Sequence, residues 1–183
     1  VHGIQSWVAL PEQDEEATPE FAHYARNELP IFEDGGLTMR LIAGDAFGVK
    51  SPVKTHSPLF YVHWVLAPGA VTQLPNNYSE RAAYVVSGKV EAGSQVFEAG
   101  HMLVFTKGAP AAIKALTPTV VMALGGEPLG ERYIEWNFVS SSRERIEQAK
   151  EDWRAGRMKL PDLDHSEFIP LPTTPPRPPT SPM

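Results

Sequence analysis

From Leu37 to Gly125 short apolar-rich runs recur between polar and turn-forming residues, the pattern of short β-strands throughout. The runs LTMRLIAG (37–44), LFYVHWVL (59–66), AVTQL (70–74), AAYVV (82–86), KVEA (89–92), QVFE (95–98), MLVFT (102–106), AAIKAL (111–116) and VVMALGG (120–126) are rich in β-branched and aromatic residues. Gly, Pro and Asn separate them. Gly93-Ser94 joins KVEA to QVFE as a two-residue hairpin turn, because glycine supplies the positive φ that such turns need. Short strands at this spacing predict an all-β antiparallel sandwich or barrel.

The flanks read differently. VHGIQSWVALP alternates imperfectly, as a strand contacted on both faces does, and Pro11 ends it. Residues 12–20 are acidic and poor in large apolar groups, which predicts a solvated loop. After residue 139 the period lengthens. Ile146, Ala149 and Trp153 recur at helical spacing, Ser141 and Glu144 suggest a capping box, and Gly156 stands where a left-handed C-cap belongs. One helix of about four turns, from Ser142 to Ala155, is expected to pack its Ile146/Trp153 stripe on the barrel. The tail PLPTTPPRPPTSPM holds PxxP spacing at Pro172–Pro175 and Pro175–Pro178; half of it is proline, so it is expected to be extended or disordered.

Composition narrows the function. The formal charge of -6 gives no positive field for nucleic acid or anionic membranes, and the densest charge run, Arg143 to Arg154, alternates in sign. There is no cysteine, which excludes disulfides, thiolate metal sites and thiol catalysis, and suits a reducing compartment; the cytoplasm is the expected location. No apolar run reaches the roughly 18 residues of a membrane helix.

Candidate chemistry centres on GAVTQLPNNYSERAAYVVSG, which has the cadence of a cupin metal-binding segment. The resemblance implies a double-stranded β-helix, or jelly-roll, barrel. In that frame two histidines, a glutamate and a later histidine hold the metal. Here the histidine positions fall near Pro75 and Asn77, flanking Asn76; the glutamate position falls near Arg81; the fourth falls at Ala111 in the second frame, FEAGHMLVFTKGAPAAI. None is an effective ligand, and a guanidinium repels a divalent cation. His56, His63 and His101 share no ligand spacing, and His2, His23 and His165 lie in terminal or linker segments. Ser140-Ser141-Ser142 fits helix capping better than nucleophile supply. GGEPLGE (125–131) lacks the Lys and helix start of a phosphate loop and reads as a turn, with Glu127 and Glu131 as an acidic pair at the barrel mouth. The expectation is that no residue of this chain is catalytic, cofactor-binding or metal-ligating.

The order GIQSWVALP, RLIAGDAFGVKSPVKTHSPLFYVHWVLAPGA, AYVVSGKVEAG and GGEPLGERYIEWNFVSSSRERIEQAKEDWRAGRM resembles the second half of pirin-family proteins. Arg145, where Glu is expected, and Arg132-Tyr133, where Pro is expected, depart from that pattern. The resemblance implies a bicupin whose N-terminal barrel holds a metal, usually iron on three His and a Glu, while the C-terminal barrel has lost its ligands. It also implies relatives that are quercetin 2,3-dioxygenases or transcriptional cofactors. The organisation expected is a strand from the first barrel or crossing to the second (1–11), a linker (12–36), the C-terminal cupin barrel (37–139), a helix (140–158) and a Pro-rich tail (159–183). The chain starts at Val1 rather than Met and reads as a piece of a longer protein. Its expected partners are the N-terminal cupin and, through apolar surface at Ile4, Trp7 and Val8, a second copy of itself; direct nucleic-acid or membrane binding is not expected. The expected function is that of the inactive half of a dioxygenase-like pirin, with a non-enzymatic binding or regulatory module as the alternative.

Overall fold

The computed structural model describes residues 3–160 and 167–173. The chain divides into two compact units, residues 17–128 and residues 1–16 with 129–183.

The first unit is a two-sheet antiparallel barrel. Its strands are β1 (Ile31–Asp34), β2 (Leu37–Ala46), β3 (Val49–Lys50), β4 (Leu59–Leu66), β5 (Val71–Gln73), β6 (Glu80–Ser87), β7 (Lys89–Ala92), β8 (Gln95–Glu98), β9 (Met102–Phe105), β10 (Ala112–Ala115) and β11 (Thr119–Gly126). One sheet runs β1-β2-β4-β11-β6-β9, with β3 paired to β2; the other runs β5-β10-β7-β8. This is the jelly-roll arrangement that the strand spacing and the cupin resemblance imply. The alternation produces the core. Along β4, Phe60, Val62, Trp64 and Leu66 are buried while Leu59, Tyr61 and His63 are only half-buried. Leu41, Leu74, Val85, Val90, Ile113 and Val121 fill the same interior. Each such side chain stabilises the barrel by about 1.5–3 kcal/mol through removal from water.

Two glycines make the barrel close. At Gly44 φ is +81°, and a Cβ there would lie 1.8 Å from the Leu59 carbonyl oxygen, so β2 and β4 can approach only at glycine. Gly125 is a strand residue with the same role: a Cβ would lie 2.3 Å from Glu80 O and 2.4 Å from the Phe60 ring. β11 runs through Gly126, as the strand expected over 120–126 does, so Gly125 and Gly126 belong to the strand and not to the turn expected over 125–131.

The linker expected over 12–36 contains a strand. β1 pairs with β2 through the two-residue turn Gly35-Gly36, both at positive φ, with Asp34 opposite Leu37. All four β1 residues are exposed, so this edge strand carries no hydrophobic alternation to announce it. Gly93-Ser94 forms the expected turn, with Ala92 opposite Gln95.

The second unit contains a 3₁₀ turn (Glu12–Asp14), a hairpin of β12 (Tyr133–Glu135) and β13 (Phe138–Ser140), and helix α1 (Arg143–Arg154). The barrel unit thus stops at Pro128, short of the expected 139, and the 133–140 hairpin clusters with the helix. The strand expected over 1–11 is not formed among the described residues, Gly3 to Pro11. Residues 3–8 are exposed, so water can serve their amides in place of a ladder; the Leu10 carbonyl accepts from Arg132 Nη2 at 3.0 Å.

α1 begins one residue later than the capping box implied. Ser142, not Ser141, is the N-cap: its hydroxyl accepts from Arg145 N at 3.2 Å. Gly156 has φ +66° and ends the helix as expected. Within this unit α1 lies on the β12–β13 hairpin, with Ile146 and Ala149 buried. Tail residues 174–183, which include most of the PxxP spacing, lie outside the described residues.

Candidate functional site at the barrel mouth

The loop between β5 and β6 carries the frame in which cupin ligands would stand. Leu74 anchors it: the side chain is buried, and its N–H donates to Ala111 O at 3.0 Å, tying the two halves of the frame together. Glu127 anchors the far end, accepting from Ser79 N at 3.0 Å and Ser79 Oγ at 2.7 Å. Those two bonds, side chain first, hold the Glu127 carboxyl below the usual carboxylate range. Glu127 thus has a partner on the frame itself, a role the sequence reading did not assign to it. Tyr78 is buried between them and donates from Oη to Asp45 O at 2.6 Å.

The four expected ligand positions separate. Pro75 and Asn77, with Asn76, line an open cavity of about 460 Å³ whose other walls are Asp45–Gly48, Gln73 and Leu74. Asn76 and Asn77 are exposed at the rim, whereas Pro75 is buried. Arg81 and Ala111 do not line this cavity. Ala111 is fully buried as core.

Arg81 is the decisive residue. It points inward from β6 on the same face as Ala83 and Val85, and only 3% of it is exposed. Its Nη2 donates to Thr106 O at 3.1 Å and Ala109 O at 2.8 Å, while Nε has no partner. A buried guanidinium costs several kcal/mol to desolvate, so the carbonyls of the 106–109 turn must face it. Near where the cupin resemblance implies a carboxylate ligand, the chain has a fixed cation facing carbonyl oxygens. A divalent metal does not fit this residue set: the charge at Arg81 opposes it, and Ala111 and Pro75 offer no donor.

The histidines do not repair the site. His63 sits on the outer face of β4, between Arg40 and Met122 in register. Desolvation, then the charges of Arg40 and Arg26, lowers its pKa, so it stays neutral at physiological pH. His101 pairs its Nδ1 with Glu98 O at 2.9 Å and packs edgewise on Phe97. His23 is exposed, and His2 and His165 lie outside the described residues. Among the described residues no three His, Cys, Asp or Glu side chains converge.

The rim carries one unusual residue. The two-residue turn Phe47-Gly48 joins β2 to β3, with φ +55° at Phe47. That conformation suits Asn or Gly and costs another residue about 1–2 kcal/mol. Phe47 stays nearly half exposed over the cavity while its ring packs on Trp64 at 6.4 Å between centroids. No sequence motif marked it; a bulky residue before Gly at a hairpin turn was the available signal.

In the second unit the acidic run expected to be solvated holds a structural carboxylate. Glu15 accepts from Ser141 N at 2.9 Å, Ser140 Oγ at 2.9 Å and Ser141 Oγ at 3.1 Å, and Arg132 Nε lies 2.9 Å away. Desolvation pushes its pKa up, but the Ser141 amide, the two hydroxyls and Arg132 together outweigh it and leave it low. Two of the three serines therefore bind Glu15, and only Ser142 caps the helix. Arg145 and Arg132, the departures from the family pattern, pair with Glu16 and Glu15.

The comparisons agree with this geometry. Residues 61–159 match the family model of the pirin C-terminal cupin domain. A pirin-like protein of Caulobacter vibrioides is 60% identical over 171 residues, covering 93% of this chain and 59% of that protein. Human pirin is 32% identical over 162 residues, covering 84% of this chain and 56% of its own length. A putative quercetin 2,3-dioxygenase of Pseudomonas aeruginosa is 30% identical over 169 residues, covering 91% and 53%. The crystal structure of a quercetin 2,3-dioxygenase from Acinetobacter baumannii superposes with a TM-score of 0.80 at 26% identity, over 92% of this chain and 57% of that one. The chain spans little more than half the length of these relatives. Its strand order, its ligand-poor frame and its matched residues place it in one family: the chain belongs to the pirins, as their C-terminal cupin domain.

Proposed function

We propose that this chain is the metal-free cupin of a two-barrel, quercetin 2,3-dioxygenase-like pirin, and that it carries out no reaction alone. The observation that carries this reading is Arg81. It is a buried guanidinium bonded to Thr106 O and Ala109 O, near where the resemblance implies a metal-ligating carboxylate. In this reading the divalent metal, iron in its usual form, and the chemistry on O₂ belong to the other barrel of the intact protein. This barrel covers part of that partner's surface, and apolar residues such as Ile4, Trp7 and Val8, each about half exposed, are where the chain would meet it or a second copy. The cytoplasm is the compartment we assign. No helix among the described residues is long and apolar enough to cross a membrane.

The test is a pair of assays with quercetin, O₂ and added Fe(II). The full-length protein should consume the flavonol in a metal-dependent way, and the 183-residue chain should not. Turnover by the chain alone, or retention of one equivalent of iron, zinc or copper after dialysis, overturns the assignment.

A second reading is a non-enzymatic binding or regulatory module of the transcriptional-cofactor type. It is favoured by the cavity of about 460 Å³ lined by Asp45, Phe47, Gln73, Asn76 and Asn77, which offers amides, a ring and a single carboxyl side chain. A full-length protein that binds metal yet leaves quercetin untouched would select this reading.

A further inference from the structure

The β12–β13 turn and the last turn of α1 carry an aromatic surface that neither the barrel nor its frame uses. Glu135 pairs with Phe138, so Trp136 and Asn137 form a two-residue turn with φ +52° at Trp136. Glycine is the ordinary occupant of that position, because a Cβ there crowds the backbone. The indole placed at this cost packs on Phe138 at 5.3 Å and on Trp153 at 5.4 Å between centroids. A strained turn that presents a large ring invites a search for what the ring contacts.

Trp153, on which the Trp136 ring packs, in turn holds the C-terminal segment. Phe168 stacks on Trp153 at 5.0 Å with an interplanar angle of 18°. The Trp153 indole N–H donates to the Ile169 carbonyl at 2.9 Å. The next residue is Pro170, so the accepting carbonyl belongs to an Ile–Pro tertiary amide. Proline holds the preceding residue extended and has no N–H of its own to satisfy. Phe168 is 51% and Ile169 68% exposed, so the segment lies on the surface and is not part of a core. A ring seated on an aromatic face, an indole donor on a carbonyl and a pre-extended Pro-containing backbone are the elements by which grooves recognise polyproline-type peptides.

We propose that the Trp136–Trp153 platform is a docking surface for extended aromatic–aliphatic–proline segments, and that Phe168-Ile169-Pro170 of the same chain is its resident ligand. A short tether gives the tail an effective concentration on the order of 1 mM, so a competing segment must reach that range or the tail must be weakened. The proposal does not depend on where the metal chemistry resides.

The experiment uses the full 183-residue chain, ¹⁵N-labelled at tryptophan, and the peptide EFIPLPT. In a Phe168→Ala chain, whose lost ring is half exposed and whose fold is retained, the peptide should shift the Trp136 and Trp153 indole resonances and leave Trp7 and Trp64 still. Its Kd there should be about tenfold lower than in the wild-type chain, where the tail competes. The peptide EFIALPT should bind about fivefold more weakly, because the accepting carbonyl loses its extended bias. Adding Trp153→Phe, which keeps a stacking ring but removes the donor, should weaken EFIPLPT about tenfold. Equal affinity for wild-type and Phe168→Ala chains, equal binding of EFIALPT, or no indole shift at about 5 mM peptide each overturns the proposal. A wild-type Trp153 resonance that moves with protein concentration would mean tails exchanged between copies, and overturns the intramolecular assignment.

Discussion

Arg81 is a buried charge and Glu15 a largely covered one, and the meaning of each could be read only in part. The resemblance put Arg81 in a ligand slot, and repulsion of a cation followed from its charge. The sequence could not supply what it binds, because the acceptors are backbone carbonyls of Thr106 and Ala109, which any residue type provides. Arg81→Ala should therefore destabilise the barrel by about 2–4 kcal/mol, through two unpaired carbonyls and the space left behind, as a lowered denaturation midpoint will register. Glu15 was invisible for a different reason: one carboxylate in an acidic run looks like its neighbours until Ser140, Ser141 and Arg132 surround it. Its folded pKa is depressed, so its contribution is complete above the unfolded value of about 4.3 and disappears as pH falls through the folded pKa. Glu15→Gln should cost roughly 1–3 kcal/mol at pH 7. It should also flatten the loss of stability below about pH 4.3, which urea titrations across pH 2–7 will measure.

At the level of elements, legibility followed burial. β4 was placed to the residue because four of its side chains are buried in strict alternation, and the β7–β8 hairpin because glycine marks its turn. β1 was missed because it buries nothing, and β12–β13 because its turn is built on Trp136-Asn137 without a glycine. The helix was found, but its cap slipped by one among three consecutive serines, where composition cannot say which hydroxyl faces the Arg145 amide. Gly125 was legible as the end of a strand, but not as the place where β11 lets Phe60 and Glu80 approach. Gly125→Ala should prevent normal closure of the sheet at a cost of about 3 kcal/mol or more, with loss of the cooperative thermal transition as the readout. Gly108→Ala is the contrasting case: φ is +75° there and a Cβ meets nothing within 4 Å, so only a backbone cost of about 1–2 kcal/mol is expected and the cooperative transition should survive.

At the scale of the molecule, the fold class was open to reading because a jelly roll is a repeated pattern of short strands, each with its own signal. The division into two compact units was not, since it depends on residues 1–16 clustering with 129–183, over more than a hundred positions of sequence. The frame of the site was equally plain, while its cavity was not: Phe47 and Asn77 meet at one rim only after β2 and β5 are folded. Trp64, Phe60 and their neighbours build the barrel core from apolar side chains alone. Adding EDTA at millimolar concentration should leave the chain's thermal midpoint unchanged, and a fall of several degrees would point to a structural cation.

Phe47 and Trp136 both hold a positive φ, which glycine adopts without cost. Each is therefore a position at which thermal stability is left unclaimed. Substituting Gly at either would relax the loop, and whatever the protein then fails to hold or recognise would identify what the rings do.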